Sequence, residues 1–373
     1  MNLSIDASNL LLGGGIKHLR FLLQNIEHSK FEKIIVYGPA KLLAVLPESS
    51  KVDLREIPEK TSSIVYRGWW QATKLSEYAR LEGGVLFVPG GAYLGNYRPF
   101  VTMFRNMQVF ETVELNREGL SKEWLRLKIL QTVQAKTFQN SSGLICLSEY
   151  AQSHLQQFYP NLLKTVELRR IPHGISQLEE NCRDYVLKSP IQLLYVSTVK
   201  QYKHQWHLID AVAQLKRQGY SIELHLVGAG DTSALRKMQE AIDRHDDLEA
   251  FVHYHDGLPY TEIFDWYQRA DLFAYPSSCE NLPNILLEAM SSALPIACSD
   301  RGPMPEVLRD AGCYFNPEQP KSIAASLKML LDDKTLRQRL GRKALEYSQR
   351  YTWERCSQET FSFLQSVHQR HCS

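Results

Sequence analysis

At 373 residues the chain is longer than one hydrophobic core usually supports, so two domains are the expectation. Its 44% hydrophobic and 23% charged residues are ordinary for a globular protein, and a net charge of +2 is too small to mark a nucleic-acid binder. No apolar run approaches the roughly 18 to 20 residues of a membrane span. The start MNLSIDASN lacks the basic and apolar stretches of a signal peptide, and seven scattered cysteines without a C-x-x-C fit reduced thiols in cytoplasm.

In chain order, residues 3–7 (LSIDA) read as a first strand. A glycine turn, Gly13, Gly14 and Gly15, then opens a helix with Leu19, Leu22 and Leu23 on one face. Glycines at a helix start let a ligand approach backbone N–H groups, although the spacing does not match the dinucleotide fingerprint G-x-G-x-x-G. KIIVYG and VLFVPG continue a β/α alternation, and Gly90 and Gly91 follow the second of them, where open parallel sheets place ligands. The strand PFVTMF runs into Arg105, Asn106 and Met107. Residues 120–138 form a helix that mixes Trp124, Leu127, Ile129 and Leu130 with Lys122, Arg126, Lys128 and Lys136. That pattern, like Trp69 and Trp70 beside Arg67, suits either packing on its own domain or a membrane surface. Ser148 before Glu149 signals a helix start after the apolar GLIC.

The run SQLEENCRDYVLKS reads as a linker. Beyond it IQLLYV, IELHLV, FVHYHDG, DLFAYP and LPIACS are strands, each followed by a helical pattern, which makes a doubly wound parallel sheet. The fourth of them leads into AYPSSCENLPNILLEAMSSA, residues 274–293. Here a polar loop precedes a helix read as starting at Pro283, and Glu280 and Glu288 stand with seven residues between them. A helix start carries a partial positive charge suited to phosphate.

The wording E-N-L-P-N-I-L-L-E-A-M resembles the E-x7-E motif of retaining glycosyltransferases of family 4. The resemblance implies an α/β GT-B fold, two Rossmann-like doubly wound domains facing across a cleft. It implies an acceptor-side domain at 1–178, completed by a C-terminal helix at 351–373, and a nucleotide-sugar-binding domain at 186–350. It gives Glu280 to the donor sugar, Glu288 to the ribose, and the turn Asn281, Leu282, Pro283 and Asn284 to the diphosphate. Lys203 in STVKQYKH matches the family's diphosphate lysine, while Ser197 and Thr198 replace its Gly-Arg, so one cation of the pattern is missing. Lys200 or Arg105 is a candidate substitute. Arg105 stands where relatives often carry a His near the donor sugar. Thr198, Gly228 after IELHLV, Gly257 in the turn 255–258, and Gly14 and Gly15 complete the donor contacts. Ile171 to Ile175 resembles the I-P-N-G-[IV] hinge with His173 for Asn, and Pro305-Glu306-Val307 the closing P-E-[VI].

The implied activity is metal-independent transfer of a sugar, with retained configuration, from a nucleotide sugar to a glycan or lipid-linked acceptor in polysaccharide or glycoconjugate biosynthesis. The Asp-x-Asp of metal-dependent transferases is absent from the sequence. No cofactor is expected beyond the donor as substrate, no metal and no nucleic acid. The location expected is the cytoplasm, with peripheral contact at the inner face of the membrane left open. Two alternatives share the fold: another GT-B nucleotide-sugar enzyme such as a 2-epimerase, and a nucleotide-sugar-binding protein that has lost catalysis.

Overall fold

The computed structural model describes residues 1–372 apart from 11–12, 118, 120, 162–165 and 177–182. It divides into two compact units, Met1–Gly174 with Tyr351–Ser373, and Ile175–Arg350. The expected boundary at 178 lies outside the described residues. Among the residues read as linker, Arg183 and Tyr185 belong firmly to the second unit. The guanidinium of Arg183 donates to the carbonyls of Tyr267 (2.7 Å) and Ser292 (3.1 Å), and the Tyr185 hydroxyl to that of Ala293 (3.2 Å).

The N-terminal unit is built on seven parallel strands: β1 (Asn2–Asp6), β2 (Lys33–Gly38), β3 (Val52–Glu56), β4 (Val85–Val88), β5 (Phe100–Phe104), β6 (Gly143–Cys146) and β7 (Glu167–Arg170). Their order is β3-β2-β1-β4-β5-β6-β7. β4, β5 and β6 are buried throughout, as strands covered on both faces must be. The helix Gly14–Gln24 buries Leu19, Leu22 and Leu23. The C-terminal helix Trp353–Cys372 packs on it: Trp353 stacks on Phe21 at 4.6 Å, and Ser357 bonds the Phe21 carbonyl. Gly174 is required where the chain passes this helix, because a Cβ there would lie 2.2 Å from the Trp353 nitrogen.

The second unit holds β8 (Ile191–Val196), β9 (Ile222–Val227), β10 (Val252–His255), β11 (Leu272–Tyr275), β12 (Ile296–Ser299) and β13 (Cys313–Phe315), all parallel, in the order β10-β9-β8-β11-β12-β13. Each sheet reverses its winding once, between β1 and β4 and between β8 and β11. Loops leaving the C-terminal ends of such a strand pair diverge and open a crevice.

One reading is corrected. The helix after Glu280 runs Asn284–Ser291, and Pro283 is its cap rather than its first residue, at φ −81° and ψ 80°. The helix Lys122–Asn140 buries Leu127 but leaves Leu125 and Ile129 exposed, so its apolar residues do not share one buried face. The five described cysteines for which a state is known, Cys146, Cys279, Cys298, Cys313 and Cys356, are free and buried. No described helix is long and apolar enough to cross a membrane.

Candidate active site

The loop leaving β8 and the loop leaving β11 meet at the switch point of the second sheet. The first makes a short turn, Gln201–Lys203, followed by His204 in the left-handed region at φ 52°. That turn is pinned: the Tyr195 hydroxyl bonds the Lys203 carbonyl at 2.9 Å, and Ser278 N–H bonds the Tyr202 carbonyl at 2.9 Å. The His204 ring meets Ser278 Oγ at 2.9 Å. Lys203 is thereby turned inward, nearly buried, over the rings of Tyr202 (5.2 Å) and Tyr275 (5.6 Å).

Its ammonium pairs with Oε1 of Glu280. The same oxygen accepts from the Tyr275 hydroxyl and from Ser277 Oγ, each at 2.7 Å. Burial, and next the charge of Glu280, push the Tyr275 phenol far above its usual range, so it stays a donor. All three contacts fall on one carboxylate oxygen, which leaves Oε2 without a protein partner among the described residues. An ammonium has three N–H donors, so Lys203 can hold Glu280 and still offer two to a ligand.

Glu280 begins the turn into the helix Asn284–Ser291. No side chain caps that helix and its first turn carries no acidic residue, so free N–H groups and their positive end remain available. Asn281 and Leu282 are buried, and Asn284 keeps a buried Oδ1 with no partner. Leu286, Leu287, Ala289 and Met290 bury the other side, at about 1.5–3 kcal/mol for each large side chain, and so fix the helix on the sheet. Glu288, partly exposed one helical turn further on, accepts from the Tyr267 hydroxyl at 3.3 Å. It borders a cavity of about 70 Å³ shared with Phe264 and Tyr267.

The remaining sequence-predicted residues are placed less centrally. Thr198 is exposed at the end of β8, and no hydrogen bond among the described residues joins it to the Lys203–Glu280 pair. Gly228, at φ 136°, has a structural reason of its own: a Cβ there would lie 2.4 Å from the Ser197 carbonyl oxygen. Gly257 stands in an open turn at φ 59° with free space around it.

In the N-terminal unit, Gly14 and Gly15 start their helix with no side-chain cap, and Arg105 comes up to it. A Cβ on Gly15 would sit 3.6 Å from Arg105 Nη1. That nitrogen is buried without a hydrogen-bond partner, and burial lowers the guanidinium to about 10, still fully charged at neutral pH. Beside it lie residues the sequence reading did not assign to the site. His18 and His173 are buried, their rings 4.7 Å apart and all four ring nitrogens unpartnered. Burial, then Arg105, holds His18 down at about 3, and burial, then His18, holds His173 well below its usual range. With Cys356 they form a group whose ligand atoms lie within 4.8 Å of one another. The adjacent guanidinium works against a metal cation there and favours an anion. The missed signals were a His in the first helical turns after Gly15 and the His in place of Asn at 173. Tyr267, Tyr275 and Ser277 gave no signal at all.

The family described as Glycosyl transferases group 1 matches residues 179–347. O-antigen chain mannosyltransferase B of Escherichia coli is 24% identical over 272 residues, 70% of this chain and 69% of that protein. D-inositol 3-phosphate glycosyltransferase of Corynebacterium diphtheriae is 26% identical over 47% of this chain and 42% of its own length. Among solved structures, sucrose-phosphate synthase of Thermosynechococcus elongatus superposes with a TM-score of 0.75 at 14% identity, covering 98% of this chain and 99% of that one. HepE of Anabaena, solved with UDP and glucose, gives 0.70 at 17%, covering 98% and 100%. The fold is GT-B. Over residues 179–347, a little under half of the chain, it matches the group 1, family 4 type of glycosyltransferases, and it is a glycosyltransferase enzyme.

Proposed function

We propose that the chain moves a sugar from a nucleotide-sugar donor to a glycan or lipid-linked acceptor with retained configuration, and that the C-terminal unit holds the donor. The single observation that carries this reading is Glu280 fixed through one oxygen by Lys203, Tyr275 and Ser277, at an uncapped helix start, with Oε2 left open. Departure of a nucleoside diphosphate leaves negative charge on phosphate and positive charge on the sugar ring. Lys203 and the free N–H groups of residues 285 and 286 answer the first, and the carboxylate of Glu280 the second. Glu288 takes the ribose hydroxyls. Gly228 and Gly257 shape the loops beneath the donor, and Thr198 contacts it from the end of β8.

From the N-terminal unit, Gly14, Gly15 and the unpartnered Arg105 guanidinium offer an anion site to the substrates. No metal is required in this scheme, because protein groups supply the positive charge. Retention follows from a same-face reaction in which the departing phosphate oxygen takes the acceptor proton. Leu125 and Ile129, exposed on the helix that also carries Lys122, Arg126 and Lys128, support peripheral contact with an anionic cytoplasmic membrane surface.

The test is a panel of UDP-, GDP- and dTDP-sugars assayed for nucleoside diphosphate release with and without acceptor, with NMR of the product anomer. Acceptor-dependent release with a retained anomer is expected. A changed donor sugar without acceptor indicates an epimerase, and binding without release a non-catalytic protein; either overturns the proposal.

A further inference from the structure

The N-terminal unit carries a second concave site whose lining includes none of Gly14, Gly15 and Arg105. The sheet face bearing Tyr37 and Arg55 is covered by the helices Ile64–Trp70 and Ser76–Glu82, joined through the wide turn Gln71–Leu75. Beside the edge strand β3, between this cover and residues 55–59, a cavity of about 600 Å³ stays open. Its walls are aromatic. Tyr37 and Tyr78 lie nearly parallel, 10° apart in plane and 5.8 Å between centroids. Tyr66 and Trp69, neighbours across one helical turn, lie 5.3 Å apart. Trp69 is 50% exposed, an unusual place for the largest apolar side chain unless something covers it.

The charges of the site divide into spent and unspent. The Arg55 guanidinium is held by Asp53 (2.9 Å) and Glu82 (2.7 Å) and bonds the Tyr37 hydroxyl, and the Lys74 ammonium, also in the lining, pairs with Glu77 (3.2 Å), so both cations are neutralised in place. The carboxylates of Glu56 and Glu59 have no hydrogen-bond or ion-pair partner among the described residues. Aromatic faces beside free acceptors are complementary to a particular shape of ligand. A pyranose ring offers a flat face of weakly positive C–H groups to the negative face of an aromatic ring, and hydroxyl donors around its edge to carboxylates. The unpaired carboxylates repel phosphate and anionic lipid headgroups, which argues against the same patch seating on a membrane. At the scale of ordinary ligand pockets the volume takes about two or three sugar rings.

We infer that this cavity is a glycan-holding subsite, distinct from the transfer site, which grips a neutral segment of the acceptor or product chain by stacking on Trp69, Tyr66 and Tyr78 and by hydroxyl bonds to Glu56 and Glu59. The inference rests on the glycosyltransferase reading above for the presence of a glycan. A chain tethered here stays at high local concentration between successive transfers.

The test uses the full chain, with isothermal titration of neutral trisaccharides of mannose, glucose, galactose and N-acetylglucosamine, in the wild type, Trp69→Ala, Trp69→Phe and the double variant Glu56→Gln/Glu59→Gln. At least one trisaccharide should bind the wild type. Trp69→Ala should weaken it about tenfold or more and Trp69→Phe should recover most of the loss. The double variant should weaken it as well. Release of nucleoside diphosphate from the donor in water, without glycan, should be the same in all four proteins. No binding of any trisaccharide overturns the subsite, as does equal binding in Trp69→Ala. Loss confined to vesicles of phosphatidylglycerol and phosphatidylethanolamine, with sugar binding unchanged, overturns it in favour of a membrane. A wild type that binds trisaccharide but turns over no donor leaves the subsite standing and sinks the transferase reading instead.

Discussion

The ammonium of Lys203 is bonded directly to the carboxylate of Glu280, 77 residues further along the chain. Both groups are largely shielded from solvent, so neither is free to serve its part of the donor alone. Removing one partner of such a pair strands the other as a buried charge, at about 3–5 kcal/mol. Lys203→Ala should therefore lower transfer by about 10²-fold or more and also lower the melting temperature. Lys203→Ala combined with Glu280→Gln should recover much of the stability and none of the activity. Urea unfolding and initial rates on the wild type, the two single variants Lys203→Ala and Glu280→Gln, and the double variant check this. Additive stability losses would show that the two groups are not coupled.

Glu280 and Glu288 should fail in different ways. On the proposed assignment Glu288→Gln weakens a contact to donor hydroxyls that is the same in ground and transition states, and should mainly raise the donor KM. Glu280→Gln keeps an acceptor for Tyr275 and Ser277 but removes the charge that faces the developing positive centre, so kcat should fall with donor binding little changed. Steady-state kinetics with donor varied at saturating acceptor separate them. Parallel changes in kcat and KM would refute the division.

Activity should persist in excess EDTA if, as proposed, Lys203 and the uncapped start of Asn284–Ser291 take the place of a cation at the diphosphate. Loss of turnover in EDTA that Mg²⁺ or Mn²⁺ restores would contradict this.

The paired histidines make the N-terminal unit sensitive to acid. His18 takes a proton only near pH 3 when folded, and His173 is likewise depressed, whereas unfolded histidine takes one near 6.5. Above pH 6.5 neither state is protonated and the pair has no effect. Below it the unfolded chain binds protons that the folded chain refuses, so stability falls with pH by up to about 1.4 kcal/mol per pH unit for each histidine. His225, held at about 4 by burial and then by His253, adds to the slope from the other unit. The melting temperature should drop from pH 7 to pH 5, and His173→Asn should drop less steeply. Equal slopes in the two proteins would assign the acid sensitivity elsewhere.

The sequence alone carried the β/α alternation, the buried strands and the E-x7-E spacing, because these depend on neighbours within a few residues. Buried parallel strands read as continuous apolar runs, and Leu19, Leu22 and Leu23 mark a helix face by period alone. The three strands left unread, β3, β7 and β13, all lie at sheet edges. An edge strand has one partner and a wet side, so VDLRE and ELRR carry charges that resemble loop composition, and CYF is too short to show a period. The active-site partnerships were hidden for a different reason. Whether Lys203 faces solvent, phosphate or Glu280 is set by β8 and β11 lying side by side, and sequence distance carries no trace of that pairing. The same holds for the ring of Tyr275 under Lys203, for the two histidines against Arg105, and for Gly228, whose missing side chain turns out to make room for the Ser197 carbonyl. Local chemistry can be read along the chain. Which groups share one oxygen is decided only when the sheets form.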